Sequence, residues 1–233
     1  IAALDLFLYP DEPPTVLAGT PELVTAPRLD DLAMCHALLE SLLDTGASPS
    51  TAVVCFFANE EIGSRTAAGA DSNFLTSLVE RIVTAREPSA GQSLYRAAAR
   101  SVLVSADMAH AFHPAYADKY DSAYSPRING GPVLKWSSAR RYTTTERTAA
   151  FFAALCRDAA IPLQQFMGRS EERGGSTVGP FVASALGIPA MDVGNPLWAM
   201  HSCVETAGGR DHAQMIQVLT LFLAGQGSLP PVA

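Results

Sequence analysis

Apolar positions along this sequence follow two periods, and the two periods alternate from one end of the chain to the other. Apolar side chains three or four residues apart predict amphipathic helices, and short runs rich in branched and aromatic side chains predict strands. The predicted helices cover residues 32–43, 74–83, 144–159, 177–186 and 211–223, with a short one ending near 100, and the predicted strands cover 51–57, 101–105, 132–136, 163–167 and 188–193. This alternation, without a repeat or a linker, predicts one α/β domain.

Composition narrows the classes of partner. The 233 residues include 16 basic and 23 acidic side chains, with a net charge of -7 and no polybasic run to follow a nucleic-acid backbone or an anionic membrane. The apolar run 215–224 is shorter than the about 20 residues that cross a bilayer, so we expect a buried helix there. We therefore expect neither nucleic acid nor a membrane as a partner.

The cysteines and the first residues indicate a cellular setting. Four cysteines are widely spread, and three of them lie within apolar periodic segments, which predicts buried free thiols rather than a disulfide framework. Residues 1–9 lack a basic region and a cleavage site, so we expect no secretory signal and a cytoplasmic location. Because the chain begins with Ile1 and with strand-like sequence, we expect it to be a fragment of a longer protein.

Polar side chains follow three of the predicted strands. They are Asn59, Glu60 and Glu61 after the first strand, Asp107 and His110 after the second, and His201 after the last. Ligands of open α/β sheets collect beyond the carboxyl ends of the strands, so these positions are the candidates for a site.

The residue types at these strand ends favour a divalent cation. Adjacent carboxylates such as Glu60 and Glu61 repel each other and lose solvation after an apolar run, and a cation offsets that cost. Asp30, at the start of the first helix, adds another carboxylate. Together with Asp107 and His201, these are ligands suited to zinc, cobalt or manganese.

Each of these residues also has a structural interpretation. The pair Glu60 and Glu61 could form a solvated turn, Asp30 could cap a helix, and His201 could be a hydrogen-bonded core histidine. His36 and His212 are interpreted as surface or cap residues. The segment 174–179 resembles an anion-binding turn, but a serine hydrolase using Ser176 lacks a base at a recognisable spacing.

Seven short motifs, which follow one another along the chain, favour the metal-site interpretation over these structural ones. They are PRLDDL at 27–32, NEEIGS at 59–64, SADMAHAFHP at 105–114, GPVLK at 131–135, RYTT at 141–144, GGSTVGP at 174–180 and DVGNPLWAMHS at 192–202. In this order they resemble the M18 family of metalloaminopeptidases, the aspartyl aminopeptidase group. The resemblance implies a three-layer α/β/α fold around a mixed sheet, similar to other zinc exopeptidases.

The resemblance also implies a site with two divalent metal ions, zinc first and cobalt or manganese as alternatives. Asp30 would bridge the ions, Glu61 and Asp107 would be terminal ligands on separate ions, and His201 would bind one of them. Glu60 would act as the general base. A water between two cations about 3.5 to 4 Å apart loses a proton readily, and a neighbouring carboxylate can accept it.

Three further residues match family positions that line the substrate site. They are His110, Lys135 and Tyr142, which the resemblance assigns to the tetrahedral intermediate or to an acidic group of the substrate. Lys135 has an alternative interpretation as an ordinary surface lysine. Cys203 and Val204 stand where Ile and Arg are common in the family, and the loss of that cation weakens the expected attraction for N-terminal Asp or Glu.

The resemblance finally sets expectations for the whole molecule. Residues 1–233 would be the C-terminal part of a catalytic domain, without an N-terminal segment that carries another metal-binding histidine and without an inserted dimerisation domain. The function would be removal of N-terminal residues, Asp or Glu among them, from peptides by a homo-oligomer, a dodecamer at full length. The alternative is a non-catalytic assembly or cargo-binding member on the same scaffold.

Overall fold

Two mixed sheets and six α-helices make up the described part of the computed structural model, residues 2–17, 22–87, 91–169, 171 and 174–227. The strands are β1 Thr15–Leu17, β2 Leu23–Ala26, β3 Leu103–Ala106, β4 Ala109–His110, β5 Val133–Trp136, β6 Gln164–Met167, β7 Ala190–Gly194, β8 Pro196–Trp198 and β9 Glu205–Gly208. The helices are α1 Leu29–Asp44, α2 Phe74–Arg86, α3 Ser93–Ala98, α4 Glu146–Asp158, α5 Gly179–Leu186 and α6 Gly209–Leu223. Short 3-10 turns form at Glu60–Ile62 and Pro114–Lys119.

The central sheet has the strand order β3-β7-β5-β6. Strand β7 pairs in parallel with β3 and antiparallel with β5, and β5 pairs in parallel with β6. Every residue of β7 is buried, as expected of a strand covered on both faces. The sheet is mixed, as the resemblance implies.

Apolar clusters on the two faces of this sheet define three layers. The larger cluster joins α1, α4 and α6 to one face through residues such as Met34, Phe152 and Met215, together with Met191 and Val193 of β7. The smaller cluster, built around Leu75 and Val182, joins α2 and α5. Since side chains alternate along a strand, Asp192 faces α5, where it accepts a hydrogen bond from Thr177. The predicted three-layer α/β/α fold is confirmed.

The second sheet, with the order β1-β2-β9-β8-β4, lies beside the first. It is a series of antiparallel pairs that ends in a parallel pair between β8 and β4. The hydropathy pattern predicts none of these strands, which are only two to four residues long. Their function in the fold is to bring the segments that follow β2, β4 and β8 to one place.

All six predicted helices are present, but the buried face of α1 differs from the one that the apolar pattern indicates. Leu32 and Leu43 are 59% and 69% exposed, whereas Met34, Ala37 and Ser41 are buried. The Ser41 hydroxyl donates to a carbonyl of α6, and the small side chains allow the two helices to approach closely. Packing against α6 thus selects a face with less apolar surface.

One strand prediction is wrong. Residues 51–57 form no strand, and Val53 and Phe56 in this segment are each 49% exposed. An extended segment needs a neighbouring strand to satisfy its backbone groups, and none pairs with this one among the described residues. Residues 2–9, which also have a strand-like sequence, are exposed and form no ladder.

The burial of the cysteines and the hydropathy of the helices can also be compared with the expectations from the sequence. All four cysteines are free thiols; Cys156 is buried, Cys35 and Cys55 are half-buried, and Cys203 is exposed, contrary to a uniformly buried set. Within the described ranges, none of the helices combines the length and the apolar character that crossing a bilayer requires.

Phe152 should be one of the side chains on which the stability of the main core depends, because it is fully buried between α4 and the sheet. We expect Phe152→Ala to lower the free energy of unfolding by about 3–5 kcal/mol, because it removes a large apolar side chain and leaves a cavity. The matched control is Phe74→Ala in α2, where the side chain is 50% exposed and the loss should stay within about 1 kcal/mol. Chemical denaturation measures both, and equal losses would contradict this account of the core.

Candidate metal centre

A cavity of about 290 Å³ lies where the ends of several strands and loops converge. All eight residues singled out from the sequence line it: Asp30, Glu60, Glu61, Asp107, His110, Lys135, Tyr142 and His201. The fold thus brings together, in one concave site, residues that are up to 171 positions apart in the sequence.

One group of ligand atoms meets at the ends of α1 and β8. The His201 Nε2 atom lies 3.0 Å from Asp30 Oδ2 and 3.0 Å from Glu61 Oε2. An imidazole nitrogen carries at most one proton, so two carboxylates converging on the same atom indicate a place for a cation. The ligand atoms of these three residues lie within 4.8 Å of one another.

A second group shares Asp30 with the first. Ligand atoms of Asp30, Asp31 and Asp107 also lie within 4.8 Å of one another. Asp30 is buried, and one carboxylate oxygen each of Asp30 and Asp31 is buried without a hydrogen-bond partner. A buried carboxylate oxygen without a partner is costly, and a bound cation removes that cost. Asp31 was not among the candidate ligands from the sequence.

The pKa shifts of the carboxyl groups indicate that the site favours a bound positive charge. Burial, followed by the nearby Asp107 carboxylate, raises the pKa of Asp30 to about 8. Burial raises the pKa of Asp31 as well, and the charge of Asp107 adds to the effect. Glu61 also has a raised pKa, with burial as the main cause. Protons therefore occupy part of the centre at neutral pH unless a metal ion replaces them.

Glu60 and Glu61 are presented by a tight loop. The Gly63 amide donates to the Glu60 carbonyl, and the Ser64 amide donates to the Asn59 carbonyl, which closes the 3-10 turn. A Cβ atom at Gly69 would overlap the Ser64 carbonyl, so only glycine permits this approach. The loop projects both carboxylates into the cavity.

Glu60 lies beside the two ligand groups and belongs to neither of them among the described residues. Burial, and then the charges of Asp107 and Glu61, raise the pKa of Glu60 to about 7. A carboxylate with a pKa near neutrality is suited to accept and return a proton.

Lys135 is buried behind the centre. Its side chain is 2% exposed, and its Nζ donates to Asp107 Oδ2 at 3.0 Å and to the Met108 carbonyl at 2.8 Å. Although burial opposes it, the Asp107 carboxylate holds the pKa of Lys135 above its usual value. The Tyr142 ring lies 5.2 Å from Nζ. The interpretation of Lys135 as a surface lysine is therefore wrong.

Asp192 holds together two segments that line the cavity, those of Tyr142 and Thr177. Its carboxylate accepts hydrogen bonds from the Thr143 amide and hydroxyl, each at 2.6 Å, and from the Thr177 hydroxyl. These bonds fix the loop of Tyr142 next to the glycine-rich segment that precedes α5. His110 faces the same cavity, and burial lowers the pKa of its imidazole, which favours the neutral form.

The geometry bears on three other interpretations from the sequence. Asp30 makes no side-chain cap; it lies in an irregular first turn of α1, where its carboxylate points to His201 instead. His201 is 62% exposed at the side chain, so it is not a core histidine. Ser176 donates to the Arg141 and Thr177 carbonyls, and no histidine or carboxylate contacts its hydroxyl among the described residues.

Glu205 was not among the candidate residues from the sequence. It is 1% exposed, and its carboxylate accepts the backbone amides of Asp30 at 2.9 Å and of His201 at 2.6 Å. A glutamate four residues after the candidate ligand His201, in a run with few other charges, was the signal that could have identified it.

A comparison with protein families decides the assignment. The model of the family described as "Aminopeptidase I zinc metalloprotease (M18)" matches residues 1–223. The chain belongs to the M18 family. The resemblance recognised in the seven motifs is thus confirmed.

Individual M18 proteins are similar to this chain over most of its length. The chain is 42% identical over 220 residues to a Pseudomonas aeruginosa protein named "Probable M18 family aminopeptidase 2", an alignment that covers 94% of this chain and 50% of the relative. The crystal structure of prApe1 superposes with a TM-score of 0.86 at 28% identity, covering 92% of this chain and 46% of that one. The S. cerevisiae mApe1 dodecamer superposes with a TM-score of 0.79 at 27% identity, covering 92% and 49%. This M18 chain spans about half the length of the curated relatives that it matches.

The residues of this chain fit the metal that the family description names. Two groups of three possible ligands share Asp30, and two of their carboxylate oxygens are buried without partners. Carboxylate and imidazole ligands of this kind suit zinc. The M18 centre therefore has the donor set of a metal site.

Stabilisation by metal should depend on pH. The folded pKa of Asp30 is about 8 and that of Glu60 about 7, against 3.8 and 4.5 ordinarily. Between the ordinary and the folded values, the unfolded chain has released these protons and the metal-free fold still holds them. The free energy of unfolding of the metal-free protein therefore falls as pH rises from about 4 to about 8. A divalent ion removes that penalty. We expect the gain in Tm on adding Zn²⁺ to be larger at a pH of about 8 than at about 6. Calorimetry at both pH values tests this, and an equal or smaller gain at the higher pH would contradict it.

Proposed function

We propose that the intact protein is a metal-dependent aminopeptidase that uses two divalent ions, zinc first, to hydrolyse the N-terminal bond of peptides. One observation carries the proposal: Asp30 belongs to both ligand groups, while Glu60 lies beside them and outside both. A shared carboxylate and a separate free carboxylate are the parts that a two-ion hydrolase needs. When bound, the ions supply Lewis acidity that polarises the scissile carbonyl and makes a water molecule more acidic.

The ligand roles follow from this arrangement. Asp30 would bridge the two ions, Glu61 and His201 would complete one site, and Asp107 would belong to the other. Asp31 stands beside Asp107 in that second group, where a further negative charge favours cation binding. These carboxylates are held in place before an ion arrives, since the tight loop and the sheet ends fix their backbones.

Glu60 would act as the general base. It lines the cavity beside both ligand groups, where it can accept a proton from water and return that proton to the departing amine. Its place outside both ligand groups supports this role, because a carboxylate bound to a cation accepts protons poorly.

The substrate would lie in the cavity, against the acidic centre. Neutral His110 and Tyr142 line the same cavity and can donate hydrogen bonds to an oxyanion or to the peptide. The Nζ of Lys135 is already bound to Asp107 and to the Met108 carbonyl. We therefore assign Lys135 to the support of Asp107 and not to an acidic side chain of the substrate, although hydrolysis of N-terminal Asp or Glu peptides remains part of the proposal to be tested.

The proposal extends to the whole protein. Residues 1–233 would be the C-terminal part of a catalytic domain, in line with the half of each relative that they cover. We propose that the intact protein is a homo-oligomer, as the S. cerevisiae mApe1 dodecamer is.

Glu60→Gln should separate catalysis from metal binding. We expect the variant of the intact protein to bind divalent ions like the wild type and to lose about 10²–10⁴ in kcat, because the base is lost while the ligands remain. Peptide hydrolysis and metal content measure the two effects. Glu80→Gln, an exposed glutamate on α2, is the control and should change neither. A Glu60 variant with near-normal kcat would refute the assignment, and a wild type without hydrolysis would favour a non-catalytic role.

Lys135→Met tests what the buried cation does. The substitution keeps the volume and removes the partner of Asp107, so we expect kcat/KM to fall by about tenfold or more on acidic and neutral N-terminal residues alike, with weaker metal binding. The measurement is kcat/KM on matched peptides that begin with Asp or with Ala. A loss confined to the acidic peptide, at unchanged metal affinity, would show instead that Lys135 contacts the substrate.

A further inference from the structure

A buried carboxylate links the backbones of two of the proposed ligands. Glu205 Oε2 accepts the Asp30 amide at 2.9 Å, and Glu205 Oε1 accepts the His201 amide at 2.6 Å. On the other side of this link, the Asp30 and His201 side chains meet at 3.0 Å. Glu205 therefore closes a ring that contains two ligands and the place where their side chains converge.

The local structure of both ligands makes their amides available. Asp30 has non-helical backbone angles within the first turn of α1, so its amide is free to donate outside the helix. His201 has a φ of 67° in the tight turn between β8 and β9, a conformation that few non-glycine residues adopt. Each amide would lack a partner without Glu205, and the turn at His201 would lose the bond that fixes its orientation.

Strand pairing fixes Glu205 itself. It is the first residue of β9 and lies opposite Ala26, the last residue of β2, four positions before Asp30. Its carboxylate is thus held at the point where the segments leaving β2 and β8 come together. A side chain that is 1% exposed has little freedom to reach other partners.

The chemistry of the link requires a carboxylate. Both oxygens of Glu205 accept an amide, which a carboxylate can do and a side-chain amide cannot. In a glutamine of the same shape, an NH₂ group would face one of the two backbone N–H donors. That contact would be repulsive, and the corresponding ligand would move.

We infer that Glu205 is a positioning residue, which sets the backbones of Asp30 and His201 at the separation that a metal ion requires. The inference rests on the proposed metal site and extends it to a residue that touches neither the ion nor the substrate. Residues behind metal ligands commonly change metal affinity or activity by about 10–100-fold when they are replaced.

The test is Glu205→Gln in the intact protein, compared with the wild type. Zn²⁺ affinity, measured by competition with a chelator, should fall by about 10–100-fold. The visible absorption spectrum of the Co²⁺-loaded protein should also change, because it reports the ligand geometry. If the variant is unfolded without metal, the Zn²⁺ concentration at which its far-UV circular dichroism recovers gives an apparent affinity that includes the cost of folding, and the Co²⁺ spectrum then decides whether the ligand geometry has changed.

Asp211→Asn is the matched control for general destabilisation. Asp211 is also a buried carboxylate that accepts two backbone amides, those of Asn129 at 2.5 Å and Gly131 at 2.7 Å, but it belongs to neither ligand group. We expect this control to lower Tm while leaving Zn²⁺ affinity and the Co²⁺ spectrum as in the wild type.

The outcomes separate this inference from the proposed function. If the wild type binds Zn²⁺ tightly and Glu205→Gln binds it equally well with an unchanged Co²⁺ spectrum, the positioning role is refuted and the proposed function stands. If Asp211→Asn weakens Zn²⁺ binding as much as Glu205→Gln does, general destabilisation explains both and the inference is also refuted. If the wild type binds no divalent ion, the proposed function fails first.

Discussion

Repulsion among carboxylates is the constraint on which the site depends. Five acidic side chains line or adjoin one cavity: Asp30, Asp31, Glu60, Glu61 and Asp107. Against them the described residues place one buried cation, Lys135, and the two imidazoles of His110 and His201. Burial raises the pKa of Asp30 to about 8. The anionic form of this carboxylate is therefore destabilised in the fold unless a counter-ion is bound. A bound cation would relieve this repulsion.

The topology explains how the cluster is assembled from distant parts of the sequence. Strand β7 and its neighbour β3 deliver Asp107, and the second sheet joins the segments that lead to Asp30 and His201. Close backbone contacts that only glycine allows, as at Gly194 against the Asp107 carbonyl, let these segments approach each other. Position is thus fixed by backbone pairing, and Glu205 adds a direct link between two of the proposed ligands.

Much of this could be predicted from the sequence, and the exceptions have physical causes. The periods of apolar residues predicted every helix and the strands of the central sheet, because those elements bury one face or both. The short strands of the second sheet left no such pattern, and the spacing of the leucines did not reveal the buried face of α1, because small residues such as Ala37 pack more closely than the leucines beside them. Candidate ligands were recognisable as charged residues at strand ends. Lys135 and Glu205 were not understood in advance, because their roles depend on contacts across the fold that no local spacing encodes.

The most direct test of a two-ion centre is anomalous X-ray diffraction at the zinc edge on crystals of the intact protein. The account predicts two peaks that share Asp30: one contacting Glu61 and His201, the other contacting Asp107. Replacing His201 with alanine should weaken the first peak and leave the second. A wild-type crystal grown with excess zinc that shows no peak, or a single peak away from Asp30, would contradict the claim that these carboxylates are held together for metal ions.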